Sequence, residues 1–434
     1  MLKRFMSTVL SVFIIFTIVS GCVSNSVDSN GENGSDQIEL RFSWWGGEDR
    51  HKATLAAIEK YMELNPHVKI KAEYSGFDGY NQKLSTQLAG KTAPDIMQMD
   101  FYYMAEFAQK GEQFIDFYEY EKQIDISSFD EKFLKDFSEV NGKLIGLPTG
   151  INSIIFFGNK KILEKTGINL EGKYDWEKLL EEGKKINQNN PKEFLLNMGP
   201  DETSMLIAYY IQQKSGNNFI QDDYTLGFDK KLAEEAFTYM KNLWDEGVLP
   251  EVSDYVTVRG NLEQTPKWVS GDLGIVLMSA SGINIFKNSN NELTPLLPPT
   301  HKGAKDSGIR TQPSQVFSVS KHSKHPEEAV KFINWMLNDE EAINILGSTR
   351  GAQPTETGRE FLSSSGQLDP LVAEGVDLGL ENAGMPINAI SLNTEADKIY
   401  VDIVEKIGYG QITPEEGATQ LVKELNEYLS DIKP

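Results

Sequence analysis

The stretch that decides the fold is Arg41–Ile70, RFSWWGGEDRHKATLAAIEKYMELNPHVKI. Together with Ile38–Leu40 before it, its opening reads as an alternating strand rich in bulky residues. From Asp49 to Asn65 apolar residues recur at helical spacing, at Leu55, Ile58, Tyr61 and Met62. Asn65-Pro66 stops that helix, because proline lacks an amide hydrogen and disfavours helical geometry in the residue before it. HVKIKAEYSG (67–76) then alternates again. Strand, helix and strand at this spacing predict a βαβ unit. GYNQKLSTQLAG (79–90), closed by Gly90, and APDIMQMD (93–100) extend it by a helix and a buried strand. The expected class is therefore α/β, a parallel sheet covered by helices. Ligands of such sheets bind at the carboxyl ends of the strands, where the loops Trp44–Asp49 and Asp100–Met104 emerge.

A chain of 434 residues has room for two or three domains, and 39% hydrophobic with 24% charged residues is a globular composition. The net charge of −22 excludes a nucleic-acid partner, since no basic surface is available to neutralise phosphates. It suits a protein that stays dispersed, and a local arginine cluster can still hold an anion. No Gly-x-Ser-x-Gly elbow, His-Glu-x-x-His pair, Walker loop or Gly-x-Gly-x-x-Gly turn is present. His322 and His325 precede a helix opening with Pro326-Glu327-Glu328, where capping explains them better than a metal does. A single cysteine gives neither a disulfide framework nor a thiolate metal site, so no metal and no cofactor is expected. Carboxylate pairs such as Glu181–Glu182 and Glu234–Glu235 fall on amphipathic helices and read as solvated faces. A glycosidase dyad stays open, because it needs spatial rather than sequential proximity.

The N-terminus has a basic Lys3-Arg4 and an apolar run, Val9–Val19, too short to span a bilayer comfortably. Val19-Ser20-Gly21-Cys22 resembles a bacterial lipobox, with Val19 where leucine is usual. That resemblance implies that residues 1–21 are a removed signal peptide and that Cys22 is lipidated. The membrane is then a partner through the anchor, and the protein works outside it. The alternative is a plain signal peptide with a buried thiol. Residues 22–36, rich in Ser, Asn, Gly and Asp, read as a disordered tether.

The order of FSWWGG, NPHVKI, KLSTQLAGKTAPDIMQMD, NGKLIGLPTGINSIIFFGNKKIL, YDWEKLLEEGKKI, WVSGDLGIVLM and SVSKHSKHPEEAVKFINWMLNDEEA resembles the extracellular solute-binding proteins of family 1. These are the carbohydrate receptors of bacterial ABC importers, and the likeness covers nearly everything after the tether. It implies a periplasmic-binding-protein-like fold of two lobes with a central cleft and three hinge crossings. The lobes are expected at 37–149 with 314–350 and at 152–308 with 354–434. The crossings are expected near 149–152, 309–313 and 350–354, where Gly150, Gly308 and Gly351 supply backbone freedom. The implied partners are an oligosaccharide ligand and ABC permease subunits with a separate ATPase, and the implied state is a monomer.

A sugar receptor needs aromatic faces for the apolar patches of the rings and short polar side chains for the hydroxyls. Strand alternation sends Trp44 and Trp45 to opposite faces, so Trp44 is assigned to the core and Trp45 to ligand stacking. Gly46-Gly47 offer backbone amides, and Glu48, Arg50 and His51 open the following helix toward the cleft. Tyr102 and Tyr103 are further stacking candidates, with Asp100 before them as a hydroxyl acceptor. Asp78 is either a ligand contact or a helix cap. Asn152, Arg310, Gln312 and Arg350 stand at the crossings, the arginines as charged contacts or as inter-lobe ion pairs. After GIVLM, relatives often carry a stacking tryptophan; here the stretch is Ser279-Ala280-Ser281-Gly282. Asn388 is a weaker second-lobe candidate. WWGGEDRHKATL with SGFDGYNQKLSTQLAG looks most like receptors for plant cell-wall oligosaccharides, including pectin-derived uronides. Bidentate arginine would suit a uronate, and neutral glycans remain the alternative.

Overall fold

The computed structural model describes residues 37–433 apart from 110, 170, 171, 256, 257, 259, 260, 289 and 389. The signal peptide, Cys22 and the tether lie outside the described residues. The opening stretch folds as expected: strand β1 (Ile38–Trp45), a helix over Glu48–Leu64, and β2 (Val68–Ser75), parallel to β1 along its whole length. Glu48 and Asp49 place negative charge at the positive end of the helix. Alternation divides β1 between two layers. Leu40, Phe42 and Trp44 pack with Ala57, Ile58 and Tyr61 of that helix. On the other face Trp45 packs with Tyr80, Leu84 and Leu88 of the Tyr80–Ala89 helix.

β3 (Ile96–Met99) adds to the other edge of β1, again parallel. A two-residue hairpin, β4 (Glu139–Val140) with β5 (Lys143–Leu144), precedes β6 (Leu147–Asn159). β7 (Phe194–Leu196), β8 (Leu273–Ser279), β9 (Leu293–Leu296) and β10 (Arg310–Val319) follow. The main sheet runs β2-β1-β3-β10-β6-β8-β7, with β9 also paired to β6. It is mixed rather than parallel throughout. β10 is antiparallel to β3 and to β6, and β6 is antiparallel to β8 and β9. The chain enters β6 and β10 from opposite ends, a feature that helical and strand periodicity does not encode.

β6 and β10 pass between the lobes as continuous strands, where loops were expected. Their pairing runs from Arg310↔Ile154 to Phe317↔Leu147 and slips register on either side of Gln315. A third segment lies against them, with the Ile151 amide donating to the Ala352 carbonyl at 2.8 Å. Gly150 has no room for a side chain, because a Cβ there would overlap the Arg350 carbonyl. Gly351, at φ 106°, holds a conformation that side chains resist. These close approaches predict that Gly150→Val lowers the unfolding free energy by about 1–3 kcal/mol. Urea denaturation measures it, and unchanged stability would mean that the three segments do not pack in this way.

Candidate functional site

The ring of Trp45 is not an open platform. It is 7% exposed, with centroids 5.1 Å from Tyr80 and 5.6 Å from Phe77. Phe77, 53% exposed at the end of β2, presents the open aromatic face that was assigned to Trp45. Trp44 is fully buried as expected, stacked on Tyr74 and donating from Nε1 to His51 Nδ1 at 3.1 Å. His51 is thereby a core partner of Trp44 rather than a group facing the cleft. The Gly46 amide already donates to the Ser75 carbonyl, and a Cβ on Gly46 would strike the Arg50 side chain. Gly46 therefore makes room for an arginine instead of offering its amide to a ligand, whereas a Cβ on Gly47 would meet nothing within 4 Å. Glu48 is exposed and pairs with Lys52. Asp78 is exposed and does not cap the next helix, which starts from Gly79 in the left-handed region without a side-chain cap.

Two of the three arginines are occupied inside the protein. Arg50 donates from Nε to the Thr349 carbonyl and from Nη1 to the Trp45 carbonyl, at 3.0 and 3.1 Å. Arg350, 5% exposed, donates to Gln98 Oε1 at 2.9 Å and to Thr54 Oγ1 at 2.8 Å, and lies over the Phe317 ring. Burial, helped by the neighbouring Arg50 charge, pushes its pKa down to about 9. Among the described residues neither has a carboxylate partner, so the alternative of an ion pair between lobes is not what holds Arg350. They pin the third crossing to the carboxyl ends of β1 and β3. Asn152 is likewise engaged: its amide donates to Ser281 Oγ at 2.8 Å and accepts from the Ser281 amide at 3.2 Å. That bond shapes the stretch which lacks a tryptophan. Asn388 bonds the Ile220 carbonyl and Asp222 within its own lobe.

The remaining candidates converge. Asp100, at the end of β3, accepts from Asn81 at 3.5 Å, and burial raises its carboxyl above the ordinary range. Tyr102 takes a hydrogen bond from Gln312 Nε2 at 3.4 Å, and burial, with the Asp100 charge, pushes its phenol up to about 12. Tyr103 turns outward beside Phe107, 38% exposed. Arg310 occupies the junction. Its guanidinium acts on Tyr102 on one side and on Asp397 and Tyr400 on the other. There a cavity of about 290 Å³ is lined by Arg310, Asp201, Glu202, Phe219, Asp397 and Tyr400, among others. Asp201 and Asp397 stand at its exposed rim. Protein packed on the inner side of Asp397 raises its carboxyl, Asp201 raises it further, and Arg310 pulls it down.

Among the described residues two buried polar atoms at this cavity have no hydrogen-bond partner, Arg310 Nε and the Tyr400 hydroxyl, and Asn81 Oδ1 beside Asp100 and Arg350 Nη1 at the third crossing have none either. Unpaired buried polar atoms are costly, and those that line a cavity are what a polar ligand would satisfy. Asn81, Asp201, Asp397 and Tyr400 were not singled out from sequence. A signal existed for Asp201. The Pro200–Ser215 helix starts just beyond the carboxyl end of β7, the place where such sheets bind ligands. Asp397 and Tyr400 carry no such signal, because they sit on an ordinary amphipathic helix, Thr394–Gly408.

Comparison with known proteins identifies the family and the fold. A family model described as bacterial extracellular solute-binding protein matches residues 46–343. A periplasmic oligogalacturonide-binding protein from Yersinia enterocolitica is 29% identical, with a TM-score of 0.77, over 92% of this chain and 100% of the other. A de novo designed cysteine esterase is 30% identical, with a TM-score of 0.82, over the same shares. An arabinooligosaccharide-binding protein of Bacillus subtilis is 22% identical over 367 residues, 79% of this chain and 78% of that protein.

Trp45 is expected to behave as a core residue. Trp45→Ala should cost about 3–5 kcal/mol of stability in chemical denaturation. A variant as stable as the parent would contradict the packing described.

Proposed function

Because the chain belongs to the bacterial extracellular solute-binding proteins, we propose that it captures an oligosaccharide between its two lobes. It then delivers the sugar to an ABC permease driven by a separate ATPase. The observation that carries this reading is the position of Arg310. It stands on a strand shared by both lobes, lining one cavity with Asp397 and Tyr400 of one lobe and within electrostatic reach of Tyr102 of the other. A ligand bridging these groups binds better when the lobes close, and that differential affinity is what can drive closure. Relatives that bind oligogalacturonide and arabinooligosaccharide support a sugar as the ligand.

Closure is proposed to bend the chain near 149–152, 309–313 and 350–354, with lobes at 37–149 plus 314–350 and 152–308 plus 354–434. The register slip beside Gln315 and the conformation of Gly351 support that placement. Phe77, braced by Trp45, is the proposed stacking face of the first lobe. Family membership puts the protein outside the cytoplasm. An anchor through Cys22 is proposed from the N-terminal sequence, and a monomer from the self-contained cleft.

The reading is binding rather than catalysis. The likeness to a designed cysteine esterase brings no nucleophile with it, since the chain's only cysteine is Cys22, remote in sequence from every cleft residue.

Thermal-shift screening of the protein against glycans tests this. A true ligand at a hundredfold excess over Kd should stabilise it by about 2.7 kcal/mol, with no product formed. Hydrolysis of any glycan, or silence across a broad panel, would overturn the reading. Phe77→Ala should then weaken the best ligand by about 1 kcal/mol, roughly fivefold, at unchanged melting temperature. Parental affinity would remove Phe77 from the site.

A further inference from the structure

We propose that the receptor selects glycans by length, taking chains of three or more sugar rings that reach from the Arg310 cavity of the second lobe to Phe77 of the first; this rests on the reading of the protein as an oligosaccharide receptor.

Two anchors stand apart in the order of the sheet. One is the cavity, whose wall carries Arg310 and Tyr400. Arg310 Nε and the Tyr400 hydroxyl lack partners among the described residues, and a sugar ring entering the cavity supplies them. The other anchor is Phe77, exposed two residues beyond the carboxyl end of β2 and braced by Trp45 at the end of β1. Its open face suits the apolar side of a ring. Groups for the middle of a chain lie between the two. Asn81 Oδ1 is unpaired beside Asp100 at the end of β3, and Tyr102 meets Gln312 of β10.

The sheet sets the distance between the anchors. Neighbouring strands run β2-β1-β3-β10, so the Phe77–Trp45 pair and Arg310 are two to three strand spacings apart, about 10–14 Å across the strands. That figure is a lower bound. Val316 is the residue of β10 opposite Met99 at the end of β3, and Arg310 lies six residues beyond it toward the second lobe. A pyranose ring lengthens a glycan by about 5 Å, close to one strand spacing. One ring or two therefore occupy the cavity without touching Phe77, and three or more engage both anchors. Two linked contacts add affinity only when the chain spans both. Closure follows the same rule. A short glycan held in the cavity favours the closed form less than a chain that also stacks on Phe77.

The test is calorimetry of the whole protein with ladders of one to six rings. The ladders are galacturonides, arabinosides and the series of whichever other glycan stabilises the protein most in the thermal-shift panel. In the ladder that binds, affinity should step up at least about tenfold between two rings and four, then level off. Small-angle X-ray scattering at saturation should show a smaller radius of gyration with four rings than with two. Phe77→Ala should shrink the affinity step about fivefold, and the fold should tolerate it because the ring is exposed. Three results overturn the inference while leaving the receptor reading intact. They are a disaccharide bound as tightly as the longest member, an affinity that rises evenly without a step, and a step that Phe77→Ala leaves whole. Silence from every glycan sinks the receptor reading itself, and the inference with it.

Discussion

The pairing of β6 with β10 is the constraint on which the rest depends. Two antiparallel strands run between the lobes, so the sheet is continuous from β2 to β7 and forms the floor of the cleft. Asn152 stands opposite Gln312, and Ile154 opposite Arg310. That register delivers Gln312 to Tyr102 on one side and Arg310 to the Asp397–Tyr400 helix on the other. Because side chains alternate along a strand, a slip of one residue would send Arg310 and Gln312 to the opposite face. The register slips around Gln315, near the close approach of Gly150 to the third segment, and this is the proposed place for the floor to bend.

Placed on that floor, the arginines divide by what lies beside them. Arg50 and Arg350 find carbonyl, amide and hydroxyl oxygens within hydrogen-bond reach and serve as ties between the third crossing and the ends of β1 and β3, with Arg350 Nη1 left unpaired in the core among the described residues. Arg310 keeps an unmatched Nε beside a cavity. Burying a charged donor without a full set of partners is tolerated where a ligand completes the set, and the unmatched atoms of Asn81 and Tyr400 follow the same logic. The site is thus defined by deficits of hydrogen bonding more than by any motif.

Much of the fold was legible because period-two and helical patterns are local. The βαβ start, its stop at Asn65-Pro66 and the burial of Trp44 all follow from that reading. The antiparallel entry of β10 was not, since nothing within ten residues of Arg310 records the direction of β3 or β6. Of the candidate site residues, the strand-end group Asp100, Tyr102, Gln312 and Arg310 lies together in the structure. Trp45 was misjudged because alternation says which face a ring takes and not whether a helix covers that face; Tyr80 and Phe77 cover it. Arg50, His51, Asn152 and Arg350 were misjudged for a related reason. A polar side chain in a loop looks available until its internal partner, hundreds of residues away for Arg50 and Arg350, is seen. Asp397 and Tyr400 escaped notice because a helix face turned toward a cavity has the same sequence pattern as one turned toward water.

The central claim is that one ligand is held by both lobes at once. Hydrogen–deuterium exchange of the protein with and without its tightest-binding oligosaccharide tests it most directly. Protection is expected to rise together in the segments carrying Asn81 to Tyr102, in the start of β10, and in the helix carrying Asp397 and Tyr400. Protection confined to one lobe, or appearing only away from these segments, would contradict the account.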